Sequence, residues 1–449
     1  FIDCKKIKNI SVEAVSKLVI SNQCFFNDNN LSSIKITGEE VLIGNQSFSN
    51  CTSITSLFLT NSSRIKICQE AFKGCKWLKK VLLSEQKSNL SNKSIVIGSR
   101  CFSNCSSLNE FKIEQATDLT LMDCVFENCG KFKKINFCSK VMNIGDECFV
   151  GSKINTITLE GEEIIIGNNC FKDCISISSF SIPQTIDVEV GSSCFEGCKN
   201  IKQVFIEAVS NIKIRDRCFY NINKLSLIGI ICNKLIIGKQ CFYNCLSLTS
   251  LSLSNINLIF LDENAFERCK NLETVSILAR TELEFGNFYF KGNKLKTSDL
   301  SDRNTVIGNN CFMDCSSLSE FKIENISDLK LMKSVFLNCE KLESISFNSK
   351  MMNIGDECFV GSKINNILLE GDEIIIGKKC FKGCQSLASF WIPLSIDVQF
   401  GISCFEDCQN IEEVSIQSSS KIEIQERCFY SNINLKSIQI HCDKLIVCR

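Results

Sequence analysis

A chain of 449 residues that sets 50 Lys+Arg against 50 Asp+Glu has no net charge, and so lacks the basic excess by which proteins displace counterions from nucleic acid. A single histidine, His441, leaves almost no material for a His-ligated metal or a Cys–His nucleophile. Apolar runs of a few residues broken by charge fall far short of the roughly 20 residues needed to cross a bilayer, so no membrane span is expected.

Three counts stand out: 31 Cys, 33 Phe and only 2 Pro. Length alone would suggest about three domains, but a short period overrides that count. Reading from the N-terminus, an anchor phenylalanine recurs at Phe1, Phe25, Phe48 and Phe72. A polar insertion, SEQKSNLSNKS at 84–94, stretches the next step to 30 residues. The series resumes at Phe102, Phe126, Phe149, Phe171, Phe195 and Phe219, continues through Phe242, Phe266 and Phe290, and then runs through Phe312, Phe336, Phe359, Phe381, Phe405 and Phe429. All other steps are 22, 23 or 24 residues, and nineteen anchors leave no room for a separate domain.

Around each anchor the same offsets recur. Two aliphatic residues stand seven and five positions before it, as in Ile164/Ile166 and Ile374/Ile376, and a Gly often stands four before, as at Gly44, Gly98, Gly145, Gly167, Gly238 and Gly377. Three apolar residues follow at six, nine and eleven positions, as in Leu108/Phe111/Ile113 and Leu318/Phe321/Ile323. Apolar residues two apart in short segments bounded by Gly, Asn and Ser predict short strands. One such unit cannot bury its apolar face, but stacked units can. The expected fold is a mainly β repeat solenoid: a right-handed, leucine-rich-repeat-like coil with two short strands per 22–24-residue unit and parallel sheets along the stack. Its structural anchors include Phe102, Phe149, Phe171, Phe195, Phe312, Phe359, Phe381 and Phe405.

The segments IGNNCFKDCISISSFSIPQTI (166–186) and IGKKCFKGCQSLASFWIPLSI (376–396) resemble the BspA-like family of leucine-rich repeats, and the resemblance runs along essentially the whole chain. Two departures are the rarity of the Ile-Pro pair, found only at Pro183 and Pro393, and the frequent Cys before the Phe where that family more often has Ala. The resemblance implies a repeat domain of a surface protein that acts in adhesion or partner binding.

A longer period overlies the short one. From Phe102 onward, adding 210 to an anchor gives another anchor, and MNIGDECFVGSKIN occurs at both 142–155 and 352–365. The chain therefore reads as one solenoid over 1–449 of about 19 units, made of two nine-unit blocks at roughly 2–219 and 220–429, with partial units at both ends. An array that starts and stops inside the pattern reads as a piece of a longer protein with uncapped terminal coils, whose open edges favour aggregation. Between blocks the core offsets change only among apolar residues, whereas the strand after the Phe changes freely: Lys133 and Lys134 become Glu343 and Ser344. On that strand, ten residues past the anchor or nearly so, Phe58, Leu82, Phe205, Leu368 and Trp391 interrupt a row of polar side chains and are candidate protein contacts. Lys79, Lys80, Lys133 and Lys134 are candidates for a basic strip.

Twelve Cys precede the anchor directly and thirteen lie three residues after it. Zinc would need thiolates converging tetrahedrally, which stacking does not favour. Systematic disulfides are disfavoured by Ser47, Ala71, Val125, Ala265 and Val335 at the first place, and by Ser152, Ile222, Asn293, Ser362 and Asn432 at the second. The favoured reading is a buried thiol used as a small apolar group, the second Cys donating weakly to a turn carbonyl along the stack. Acidic pairs such as Asp146/Glu147 alternate along an extended chain and do not converge for acid–base work. The glycines before each Phe are expected to supply backbone conformations that a tight corner needs. The sequons Asn50-Cys-Thr and Asn104-Cys-Ser are expected to be blocked by burial, whereas Asn61, Asn89 and Asn92 would be usable in a secreted protein.

The functional expectation is a non-catalytic recognition or adhesion solenoid that uses no cofactor or metal, is located at the cell surface or outside the cell, and binds a host, matrix or cell-surface protein. An intracellular scaffold in the cytoplasm is the alternative, since free thiols in such number fit a reducing compartment.

Overall fold

The computed structural model describes residues 6–83, 93–113, 116–285, 290–291, 293, 297–301 and 304–448. Phe1, most of the 84–94 insertion and the sequons at Asn89 and Asn92 lie outside these residues. The chain forms two compact units, Phe1–Ile222 and Asn223–Arg449.

In the first unit, strands Asn9–Glu13, Ser33–Thr37, Ser56–Thr60, Lys80–Leu83 and Glu110–Ile113 pair in parallel, each with its equivalent one coil on. Strands Lys17–Ile20, Glu40–Ile43, Arg64–Ile67, Ser94–Ile97 and Ala116–Leu121 build a second parallel sheet in the same way. Alternation fixes the faces: Ile34 and Ile36 are fully buried, while Lys35 between them is exposed. The second unit repeats the scheme from Leu227–Ile231 and Lys234–Ile237 to Ser437–His441 and Lys444–Val447. A parallel β-solenoid is thus what the period predicted.

The two short strands of a unit are not always separate. They fuse into one bent strand at Lys134–Ile144, Ser179–Val190, Gln203–Ile214, Ser344–Ile354 and Ser389–Phe400. Where two 12-residue strands pair, the register shifts at the bend, as between Ile182 and Asp187, so Pro183 removes no ladder bond where one would be missed. After each copy of MNIGDECFVGSKIN the strands stay apart, as Thr156–Glu160 and Glu163–Ile166, and as Asn366–Glu370 and Glu373–Ile376. These are 22-residue steps, the shortest in the chain.

The anchors form the core. In the first unit Phe25 through Phe219 stack in series, with Phe149–Phe171 centroids 5.1 Å apart and rings 2° from parallel. Phe72 and Phe102 keep the stack at 5.5 Å across the 30-residue step, so the insertion leaves the core uninterrupted. In the second unit Phe359–Phe381 and Phe381–Phe405 stand at 5.0 and 5.2 Å. Each such contact is worth about 0.5–1.5 kcal/mol beyond area burial.

The corner that carries each Phe has a third ladder. Residues two before and two after the anchor adopt positive φ, as at Gln46 (53°) and Asn50 (56°) around Phe48. The resulting alternation points every second N–H along the stack: Gln46, Phe48 and Asn50 donate to the carbonyls of Gln69, Ala71 and Lys73 at 3.0, 2.8 and 2.8 Å. These bonds offset the conformational cost of left-handed non-glycine residues. The glycines four before the anchor are not among the positive-φ residues, which corrects the expectation for them. A Cβ on Gly44 would lie 2.6–2.7 Å from Asn22 and Ser21 of the preceding coil. Gly is there because two backbones touch; the left-handed glycines are those two after the anchor, such as Gly151 at 70°.

Candidate functional site

The outward face of the strand after each Phe is the surface where the candidate contacts fall. Phe205 and Trp391 are 46% and 49% exposed; Phe58 and Leu368 are half-buried. Leu82 departs from the expectation, since it is only 6% exposed between its register neighbours Phe58 and Lys112 and joins the core. Among the lysines, Lys79, Lys133 and Lys134 are exposed. Lys80 pairs with Glu110 at 3.0 Å one coil on, so a carboxylate stands between the two lysine pairs, with the exposed Lys112 two residues along the same strand.

Trp391 lies on Ser389–Phe400 with Phe390 and Ile392 turned inward beside it, and its register partner is Ser415. Its counterpart in the first block, Ser181, pairs with Phe205. Each block therefore places one aromatic and one serine at this pair of positions, in opposite order. Leu394 and Ile396, at and beyond the bend of the same strand, are also open, at 69% and 46% exposure.

The thiols form a line beneath the corner. Three residues past each anchor, Sγ donates to the carbonyl of the preceding anchor: Cys75 to Phe48 at 3.1 Å, Cys129 to Phe102 at 3.2 Å, Cys198 to Phe171 at 3.0 Å, Cys339 to Phe312 at 3.1 Å. Asn293 fills the same role toward Phe266 through Nδ2 at 3.4 Å. At the irregular units, Ser152 meets Cys174 Sγ at 3.4 Å, and Ser362 donates to Phe359 of its own coil at 2.6 Å. Burial pushes the thiols up, Cys51, Cys129, Cys384 and Cys408 each to about 12. A thiol held protonated at neutral pH is neither a strong nucleophile nor a metal ligand. Among the described residues no group of three or more His, Cys, Asp or Glu could hold a metal ion.

A polar ladder at the corner was not foreseen. Three residues before the anchor, a short Asn or Asp accepts the N–H of the equivalent residue one coil on: Asn45 to Asn22 Oδ1 at 2.8 Å, Asp146 to Asp123 at 3.0 Å, Asn168 to Asp146 at 2.6 Å, Lys378 to Asp356 at 2.7 Å. Asp146 and Asp356, the acids of the repeated 14-residue segment, are thus occupied with backbone. The recurring Asn/Asp at that offset was the signal available in the sequence. The sequon residues Asn50 and Asn104 are exposed, as is Asn61. Their left-handed conformation (56° and 62°) turns the amides outward while Cys51 and Cys105 go inward, correcting the expected burial.

The BspA type leucine-rich repeat region model matches residues 1–120, 95–226, 235–362 and 327–436 in six copies. No curated protein matches the chain. Among solved structures, a leucine-rich repeat protein from Bacteroides ovatus is 16% identical, covering 95% of this chain and 92% of that one with a TM-score of 0.39. A leucine rich cell surface protein from Faecalibacterium prausnitzii is 16% identical over 97% of this chain and 88% of that one (TM-score 0.24). The pneumococcal vaccine antigen PcpA is 14% identical over 81% and 92% (TM-score 0.35).

Proposed function

This chain belongs to the BspA type leucine-rich repeat family, and we propose that it works as a non-catalytic protein-recognition or adhesion solenoid, the repeat ectodomain of a surface protein. The observation that carries the reading is the contrast between faces of one strand. At 180, 182, 204 and 206 the inward residues Phe, Ile, Val and Ile recur unchanged at 390, 392, 414 and 416, while the outward Ser181, Gln203 and Phe205 become Trp391, Glu413 and Ser415, half-exposed aromatics among them. A rigid ladder with a freely varied outer row is a scaffold on which contact residues can be exchanged without disturbing the fold. Phe58, Leu368 and the exposed lysines Lys79, Lys133 and Lys134 belong to the same proposed surface, Phe205 and Trp391 being its anchors. The two nine-coil blocks are proposed to be copies of one another, free to take different ligands.

The test is retention of purified matrix and cell-surface proteins on the immobilised chain, compared with a Phe205→Ala/Trp391→Ala double variant. Loss of a retained protein with unchanged circular dichroism supports the reading; equal retention by the variant, or retention of nothing, overturns it. A second reading, an intracellular scaffold of the same fold, is favoured by the thiol ladder, since donating Sγ–H groups require the reduced form that a reducing compartment maintains. Thiol titration of the native and denatured chain, taken from its own cell, separates the two: many bridges place it outside.

A further inference from the structure

We infer that the face centred on Trp391 takes an extended segment of a partner protein that carries lysines or arginines flanking an apolar side chain. The inference rests on the recognition reading above and narrows it to one surface and one ligand chemistry. Trp391, Leu394 and Ile396 leave 49%, 69% and 46% of their surface open on a single strand. That strand is bordered by acid on both sides. Before it in the sheet come Asn366–Glu370 and Glu373–Ile376, bringing Glu370, Asp372 and Glu373. After it comes Glu413–Ile424, where Glu413 pairs in register with Ser389, two positions from Trp391 on the same face, and Glu412 precedes it. Nearby cations are fewer: Lys350; Lys421, in register with Asp397 and paired with Glu423 at 2.6 Å; and Lys436, which pairs with Glu412 at 2.8 Å while both remain about half exposed or more (69% and 51%). An exposed pair of that kind is weak and exchangeable.

The first block supplies an internal control. Its equivalent positions hold Ser181 for Trp391, Gln184 for Leu394, Lys202 for Glu412 and Gln203 for Glu413, around the same Phe, Ile, Pro, Val and Ile at the intervening core positions. Between the copies the edge after the strand changes from Lys202 and Gln203 to Glu412 and Glu413 as Ser181 and Gln184 give way to Trp391 and Leu394, while the edge before it is acidic in both, Glu160, Glu162 and Glu163 standing for Glu370, Asp372 and Glu373, and Ile186 stands for Ile396. An aromatic anchor with a rim in which carboxylates outnumber lysines is complementary to a cationic, apolar-centred segment, the anchor supplying residence time and the rim supplying steering and choice of partner. Such a segment can lie along the outward row of a β-surface with alternate side chains facing it.

The experiment is selection from a displayed random 12-residue peptide library on the full chain and on a W391S/L394Q/E412K/E413Q variant, which imports only residues the first block already carries. The expected result is enrichment of peptides with Lys or Arg around an aromatic or aliphatic residue, weakened by about tenfold or more in the variant and by raised salt. Synthetic copies of the winners should shift the emission of Trp391 in a W77F background, where it is the sole tryptophan. Enrichment of acidic or uncharged peptides that the variant loses would sink the cationic partner while leaving the recognition reading intact. Basic peptides retained equally by the variant would sink the assignment to this face. Enrichment of nothing on either protein would overturn both.

Discussion

The Cys408 thiol donates to the carbonyl oxygen of Phe381, one coil back, at 3.0 Å, while the Cys384 N–H of the Phe381 coil donates to that same oxygen at 3.1 Å. One carbonyl is thereby held by its own turn and by the next coil. Removing the thiol still leaves the carbonyl partnered, so Cys408→Ala should cost only about 1 kcal/mol. Placing a carboxylate there is different: Cys105→Asp puts an acceptor against the Phe72 carbonyl in a fully buried site, and should cost several times as much. Thermal denaturation in which Cys105→Asp matched a surface substitution would refute the ladder.

The same thiols set a pH dependence. Burial raises Cys51, Cys129, Cys384 and Cys408 to about 12, whereas an unfolded cysteine ionises near about 8.5. For an acid whose folded pKa is raised, the unfolded chain releases the proton first, so stability is whole below the unfolded value and declines as pH rises toward the folded one. The melting temperature should be flat with respect to these thiols up to about pH 8 and fall steadily through pH 9–11. A chain as stable at pH 11 as at pH 7 would contradict buried, protonated thiols.

The Phe stack predicts a large local penalty. Phe149 lies 5.3 Å from Phe126 and 5.1 Å from Phe171, fully buried, so Phe149→Ala should cost about 3–5 kcal/mol. Because each coil touches only its neighbours, amide exchange should quicken first at the flanking coils and least at the far end of the same unit. Uniform quickening over the unit would show all-or-none rather than nearest-neighbour coupling.

Much of this was legible in the sequence because a solenoid uses one environment repeatedly. Phe, its Cys partners and the aliphatic offsets are each required at the same place in coil after coil, so period and core emerge together. What stayed hidden depends on a neighbour 22 to 30 residues away. The glycine at Gly44 reads alike whether it serves φ or clearance, and only the approach of Asn22 distinguishes the two. Asn22, Asn45 and Asp146 look like solvated turn residues until the next coil's N–H is placed on them. Leu82 occupies an outward offset, and an offset gives direction without saying what lies over it.

The two classes of glycine can be separated by substitution. Gly167 has no left-handed φ, yet a Cβ there would come within 2.5–2.6 Å of Gly145 and Asp146 backbone atoms. Gly167→Ala should therefore cost about 1–3 kcal/mol, as overpacking does. Gly151, at φ 70°, occupies the place held by Asn128 (57°) and Asn104 (62°) in earlier coils, and the only atom a Cβ there would crowd is Asn128 Oδ1 at 2.6 Å, the end of a side chain that can turn aside, so Gly151→Asn should be close to neutral. Equal melting temperatures for the two variants would mean that coil-to-coil contact does not constrain the corner.

The repeated acid pair provides the last test. Asp146 accepts the Asn168 N–H at 2.6 Å and Asn168 Nδ2 at 3.3 Å, and an amide oxygen can accept that N–H as a carboxylate does. Asp146→Asn should leave stability within about 0.5 kcal/mol, because Asn already fills this position at Asn45, which the Gln69 N–H approaches at 3.1 Å. Asp146→Ala removes the acceptor at an exposed corner where water replaces it in part, and should cost about 1 kcal/mol. If Asn proved as damaging as Ala, the carboxylate charge itself would be needed there, and the segment shared by the two blocks would have a role beyond the ladder.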